Sequence, residues 1–172
     1  MSNGSAGQGF EGFVGHAYWG LDKIVSALEA LGPERWSETP VQGLRSPREI
    51  MMHMWGFENF WSARLRGEKL DRESPPITPA TFDNLASLLE AWRPVQNWCR
   101  EHTAGLTEQE LDRGIELTWM DGTNHAPPSR HVLSQFVQHQ GQHRSKLAVL
   151  VSAMGESPGD FDLWDFLSEA PA

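Results

Sequence analysis

The sequence predicts an all-α fold, namely a four-helix bundle with a small hairpin-like excursion before the fourth helix and a short C-terminal helix. Four long segments repeat apolar residues at alternating steps of three and four, the spacing of a helix with one buried stripe. Capping residues and Gly/Pro pairs bound these segments. The chain has 172 residues, 39% of them hydrophobic, which suits one domain with a single core. We therefore expect a disordered Gly/Ser-rich tail over residues 1–9 and a single domain over residues 10–172.

The first two long helices have clear boundaries. Helix one begins at Phe10 and stops before Gly32 and Pro33. Its apolar stripe comprises Phe10, Val14, Ala17, Leu21, Ile24, Leu28 and Leu31. Helix two begins at Pro47, because Ser46 offers an N-cap hydroxyl and Glu49 closes a capping box. It ends near Gly67, and its stripe comprises Ile50, His53, Phe57 and Trp61.

The third helix and the segment after it have weaker signals. Thr78 and Pro79 are expected to cap helix three, which Pro94 should kink. Its stripe comprises Phe82, Leu85, Leu89, Trp92, Val95, Cys99 and His102. A capping box over residues 107–110 predicts one short helical turn. Residues 114–128 are predicted to form the hairpin-like excursion, because apolar and polar residues alternate and Asp121 and Gly122 favour a turn.

The last two helices follow the hairpin. Ser129 is expected to cap helix four, which ends at Gly155. Its stripe comprises Val132, Phe136, His139, His143, Leu147 and Leu150. A short helix over residues 161–167, after the cap Asp160, should pack against the bundle. The side chains expected to make that contact are Phe161, Leu163, Trp164 and Leu167.

Composition and charge exclude several classes of partner. The formal net charge of -9 repels phosphate backbones, so we expect no nucleic acid. No apolar run approaches the length of a membrane span, and the N-terminus lacks the basic and apolar regions of a signal peptide, so we expect no membrane partner. A single cysteine cannot form an internal disulfide, which favours a cytoplasmic location. Eight tryptophans indicate either a core of large rings or a pocket lined by them.

Three of the seven histidines replace apolar residues within the buried stripes. His139 and His143 are four residues apart and share one helix face, and His53 lies in the stripe of helix two. Unpaired imidazoles inside a bundle would cost a few kcal/mol each. A divalent metal satisfies them, and neutral imidazole suits zinc, nickel, copper or iron better than calcium or magnesium. The alternative is that these rings bond to one another, to Gln135 or Gln142, or to backbone and water.

Two segments carry a resemblance to a known family. Residues 137–144, followed by an apolar helix and residues 155–160, look like the last-helix signature of the DinB-like (YfiT-like) superfamily. Residues 46–67 are similar to its second helix. The resemblance implies an up-down-down-up bundle, a homodimer, and a three-histidine site for a divalent metal such as nickel or zinc. By position the ligands would be His53, His139 and His143. One departure is Gln135, where some members have a further histidine, and it weakens transfer of a specific activity.

The resemblance also suggests a chemistry. Characterised relatives are transferases and isomerases that use mycothiol, bacillithiol or glutathione. We therefore expect a metal-dependent transferase that joins a low-molecular-weight thiol to a small-molecule substrate. The alternatives are a hydrolase that uses hydroxide on the same metal, or a non-catalytic protein whose metal only holds the bundle together.

Other chemically interesting residues have structural explanations. Cys99 is expected to pack in the core. His125 is expected in a solvated loop, and the alternative is that it lies at the mouth of a pocket. We expect Glu58 to form a surface or interhelix ion pair, with a general-base role as the alternative. We expect Arg144 to form a salt bridge, with binding of a cofactor carboxylate as the alternative. Core packing is also expected for three tryptophans, with lining of the access to the metal as the alternative. They are Trp55, Trp61 and Trp119. No role is expected for His16, His102 or His131.

Overall fold

The computed structural model describes residues 8–68, 81–118 and 121–169. Helices make up most of the described residues, which confirms the all-α class. The helices are α1 (Gln8–Leu31), α2 (Pro47–Leu65), α3 (Leu85–Ala104), α4 (Glu108–Asp112), α5 (Ser129–Ala153) and α6 (Leu163–Glu169). A 3-10 helix, Pro33–Ser37, follows α1, and two short strands, β1 (Leu117–Thr118) and β2 (Asn124–His125), lie between α4 and α5. Most of the predicted tail lies outside the described residues, and α1 already includes Gln8.

Local capping determines where α2 and α4 begin, as the sequence predicts. The Ser46 side chain accepts from the Glu49 backbone N–H, and the Glu49 carboxylate accepts from the Ser46 backbone N–H. Thr107 and Glu110 form the same reciprocal pair at α4. Each box satisfies N–H groups that have no partner within the helix.

The predicted starts of α3 and α5 are wrong in detail. A capping box of Asn84 and Ser87 begins α3 at Leu85, so Phe82 precedes the helix, while the expected cap at residues 78–79 lies outside the described residues. The helix then continues through Pro94. Ser129 is the first residue of α5 rather than its cap, because its hydroxyl donates to the Glu110 carbonyl and so ties α5 to α4.

The four long helices pack around a shared core. Helices α1 and α2 each lie against both α3 and α5. Trp92, Tyr18 and Leu147 are among the large side chains that have no exposed surface. A second cluster of buried residues comprises Leu65, Leu106, Leu111, Ile115, Val132 and Leu133. Burial of these apolar surfaces drives the packing of the long helices.

The hairpin-like excursion is confirmed. Leu117 pairs with His125 and Thr118 with Asn124 in an antiparallel ladder, and an isolated bridge joins Gly114 to Pro128. Gly122 has a φ of 85°, a conformation that glycine adopts without a steric penalty. Residues 119 and 120, including the expected core residue Trp119, lie outside the described residues.

The C-terminal helix packs differently from the prediction. Asp162, rather than Asp160, accepts from the Trp164 backbone N–H, and α6 begins at Leu163. Trp164 and Leu167 are 76% and 53% exposed, so the expectation that they cover the bundle is wrong. The face of α6 that meets α1 instead carries Phe166, whose ring lies against His16 and Trp19.

Candidate metal centre

The structure brings His53, His139 and His143 together between α2 and α5. One ring nitrogen from each histidine lies within 4.8 Å of the other two. The Nε2 atoms of His53 and His139 are 3.0 Å apart. His139 is buried, His143 is half-buried and His53 is exposed. We call these three residues the histidine triad.

Burial keeps the triad neutral. Burial first, and then the neighbouring histidines and Lys146, lower the pKa of His139 to about 3 and that of His143 to about 4. The pKa of His53 is also lowered, first by burial and then by the charges of Arg45 and Lys146. Near pH 7 the three rings therefore keep the lone pairs that metal coordination requires.

The hydrogen bonds of the triad do not satisfy its nitrogens. The contact between His53 and His139 accounts for one nitrogen of each ring. The Nδ1 atoms of His139 and His143 are buried and have no partner in the described part of the chain. Gln135 and Gln142, the alternative partners that the sequence offers, are exposed. Three neutral, converging nitrogen donors with unsatisfied ring atoms fit a divalent transition metal.

Phe57 holds the buried ring of the triad in place, a role that the sequence did not reveal. Its ring stacks on His139 with centroids 3.8 Å apart and planes inclined by 12°. Phe57 follows His53 by four residues on α2, so both side chains face α5. A rigid aromatic neighbour limits the rotation of His139 and covers one face of its ring.

Two pockets open beside the triad and share His53 and Arg45. The aromatic lobe has a volume of about 370 Å³ and is lined also by Glu49, Met52, Phe57 and Phe60. The cationic lobe has a volume of about 290 Å³ and is lined also by Leu44, Ile50, His143 and Lys146. His53 and His143 therefore border a cleft with one aromatic and one positively charged side, while His139 lines neither lobe.

The chain matches a known protein family over most of its length. A model of the DinB superfamily matches residues 16–147, a range that begins in α1 and contains the whole triad. The chain belongs to the DinB superfamily. A search of curated proteins gave no match. Membership of the DinB superfamily agrees with the resemblance seen in the second and last long helices, and the triad of this DinB chain is close enough to bind one metal ion.

Glu58 corrects a prediction, because it forms neither a surface nor an interhelix ion pair. The side chain is completely buried, and its Oε2 accepts hydrogen bonds from the Tyr18 hydroxyl at 2.9 Å and from Trp92 Nε1 at 2.7 Å. Its Oε1 has no partner in the described residues. Burial raises the pKa of Glu58 to about 8, although both hydrogen bonds act to lower it. The residue faces α1 and α3, away from the cleft.

Arg144 also differs from the prediction of a salt bridge. Its guanidinium is buried, and Nη1 donates to the backbone carbonyls of His16 and Ala17 at 2.9 and 3.2 Å. Burial lowers the pKa of Arg144. Gly20 makes this approach possible, since a Cβ there would overlap the guanidinium. Arg144 therefore joins α5 to α1 and lines neither lobe.

The remaining candidates line neither lobe of the cleft. Cys99 is buried, as expected, and burial raises its pKa to about 12, so it stays a thiol. His125 is exposed on β2, and its ring lies 2.9 Å from the Thr123 hydroxyl. Trp55 and Trp61 pack at the edges of the core, as expected. No helix in the described ranges has the length and apolar character needed to cross a membrane.

Proposed function

We propose that this DinB chain is a metal-dependent transferase that joins a low-molecular-weight thiol to an electrophilic small molecule. The observation that carries the proposal is a neutral histidine triad at the wall of an open, two-lobed cleft. His53, His139 and His143 would hold the metal, with nickel and zinc as the candidates. A dication bound there lowers the pKa of a thiol or water that reaches it and so supplies a nucleophile near neutral pH.

Each element of the cleft has a role in this proposal. His139 is fixed by the Phe57 ring, which also excludes water from one side of the triad. His53 is exposed and borders both lobes, so two molecules can meet beside it. Arg45 and Lys146 add positive charge, which favours the thiolate over the thiol. A new carbon–sulfur bond forms, and the thiol proton departs with the displaced group.

Three further features belong to this proposal. We place the four long helices in the up-down-down-up order that the family resemblance implies. We also propose a homodimer and a cytoplasmic location. The open cleft supports a catalytic role over a purely structural metal, because a structural site has a closed coordination sphere.

The test uses the full-length chain loaded with zinc or nickel. Glutathione and cysteine serve as thiol donors, and monochlorobimane, which loses chloride on conjugation, serves as the electrophile. We expect conjugation above the uncatalysed rate that disappears with a chelator, returns with metal and is lost in His139→Ala. The matched control is His125→Ala, which removes an exposed histidine outside the triad and should retain activity.

The result can also contradict the proposal. Stoichiometric metal without transfer from any low-molecular-weight thiol would overturn the transferase. If the same preparation hydrolyses p-nitrophenyl acetate without thiol, and His139→Ala abolishes that activity, the chain is a hydrolase instead.

A further inference from the structure

The cationic lobe combines two positive charges with the triad in a chain whose net charge is -9. Lys146 follows His143 by three residues, so both side chains leave the same face of α5. Arg45 precedes the N-cap of α2 and approaches the lobe from a different element. Neither cation has a hydrogen bond or an ion pair with another described residue. Both charges therefore remain available to a ligand.

Hydrogen bonds from Ser46 and then the charge of Arg45 lower the pKa of Glu49, so this carboxylate offsets part of the Arg45 charge without forming an ion pair with it. Glu49 lines the aromatic lobe, and its Oε2 accepts hydrogen bonds from the Ser46 backbone N–H and hydroxyl. The Glu49 carboxylate therefore caps α2. Its negative charge disfavours an anion in the aromatic lobe. An anionic group is therefore favoured only in the cationic lobe, where Lys146 lies.

The positive charge also reaches the triad. Arg45 and Lys146 line this lobe together with His53 and His143 of the triad. A ligand that spans the lobe and the triad would therefore need one end that binds the metal and another that is negatively charged. In cysteine and glutathione, that second group is a carboxylate.

We propose that the cationic lobe is a carboxylate subsite, in which Arg45 and Lys146 select thiols that carry a carboxylate. This inference rests on the proposed thiol transfer and adds to it the class of the thiol. The aromatic lobe, lined by Met52, Phe57 and Phe60, then remains for the uncharged electrophile. Arg45 and Lys146 act as specificity-determining residues, since they bind the part of the thiol that does not react.

The experiment measures binding to the cobalt-substituted full-length chain. It compares 3-mercaptopropionate with 3-mercapto-1-propanol, which has the same length but no charge, and follows the thiolate-to-cobalt absorption. We expect Arg45→Gln and Lys146→Gln each to weaken 3-mercaptopropionate about two- to fivefold, as for partly exposed ion pairs. The Kd of 3-mercapto-1-propanol should not change. Arg45→Lys keeps the charge and should retain most of the preference.

A matched control separates the local effect from net charge. Arg93 is exposed on α3 and lines neither lobe, so Arg93→Gln removes one positive charge elsewhere and should alter neither Kd. Equal affinity for the two thiols in the unmodified chain, or equal weakening of both in the lobe variants, would overturn the subsite.

A second arm separates this inference from the proposed function. The metal-free chain is titrated with propionate and followed by NMR chemical shifts around the lobe. If neither thiol alters the cobalt spectrum, the thiol proposal fails. Propionate binding that is lost in the Arg45→Gln, Lys146→Gln double variant would then still support the subsite, and its absence in the unmodified chain would overturn the subsite as well.

Discussion

Replacing Glu58 by glutamine should remove a pH dependence of stability that this buried carboxyl imposes. The pKa of Glu58 is raised to about 8 in the folded chain, whereas an unfolded glutamate titrates near 4.5. Between these values the folded chain keeps a proton that the unfolded chain releases. The stabilising contribution is therefore complete below pH 4.5 and is lost as the pH rises through about 8.

The magnitude follows from proton linkage. The free energy of unfolding should fall by about 1.4 kcal/mol for each pH unit in this window. Between about pH 5.5 and pH 7.5, Glu58 alone contributes a loss of about 3 kcal/mol. Glu58→Gln keeps a carbonyl that accepts from Tyr18 and Trp92 but has no titrating proton, so its contribution should not change with pH.

Urea denaturation at these two pH values, with a chelator present, measures how much the free energy of unfolding changes between them. Unfolding is followed by tryptophan fluorescence. His139 and His143 titrate with the opposite sign, because their lowered pKa values favour unfolding as the pH falls below about 6.5. That effect is common to both proteins and cancels. The control, Glu90→Gln, removes an exposed carboxylate of α3 and should follow the unmodified chain. Parallel pH profiles for the unmodified chain and Glu58→Gln would contradict the raised pKa of Glu58.

Three further predictions concern the triad and the packing of α1. Replacing the whole triad by alanine should abolish metal binding, measured as metal content by plasma mass spectrometry, and metal retained by that variant would contradict the site. Gly20→Ala should lower the free energy of unfolding by about 1–3 kcal/mol, because it displaces the Arg144 guanidinium and breaks its hydrogen bonds to the His16 and Ala17 carbonyls, and an unchanged urea midpoint would contradict this. Trp164→Ala should change stability by less than about 0.5 kcal/mol, whereas Phe166→Ala should cost about 1–2 kcal/mol, and equal thermal shifts would contradict the packing of α6.

Sequence periodicity alone predicts that the three histidines of the triad lie close together. His53 occupies a buried stripe of α2, and His139 and His143 share one face of α5. Two helices that bury their stripes against each other must bring such residues close. Periodicity does not identify Phe57 as the ring that stacks on His139, because core aromatics and site aromatics have the same spacing.

Periodicity does not predict the hydrogen bonds of a side chain whose partners come from other helices. The sequence predicts a surface or interhelix ion pair for Glu58, yet Tyr18 and Trp92, from two other helices, provide its buried hydrogen bonds. The sequence predicts a salt bridge for Arg144, but a glycine on α1 admits it to backbone carbonyls. These outcomes depend on which helices are neighbours.

Contacts within a few residues and the helical repeat account for the four long helices, for two of the capping boxes and for the place of the three histidines in buried stripes. How the helices pack explains why Glu58 is buried without a cation, why α6 leaves Trp164 exposed, and why Arg45 and Lys146 meet at one lobe. Arg45 and Lys146 are 101 positions apart in the chain, and their proximity arises only when α2 packs against α5. Local patterns carry no information about such a pair, because its energy depends on the packed arrangement of the helices.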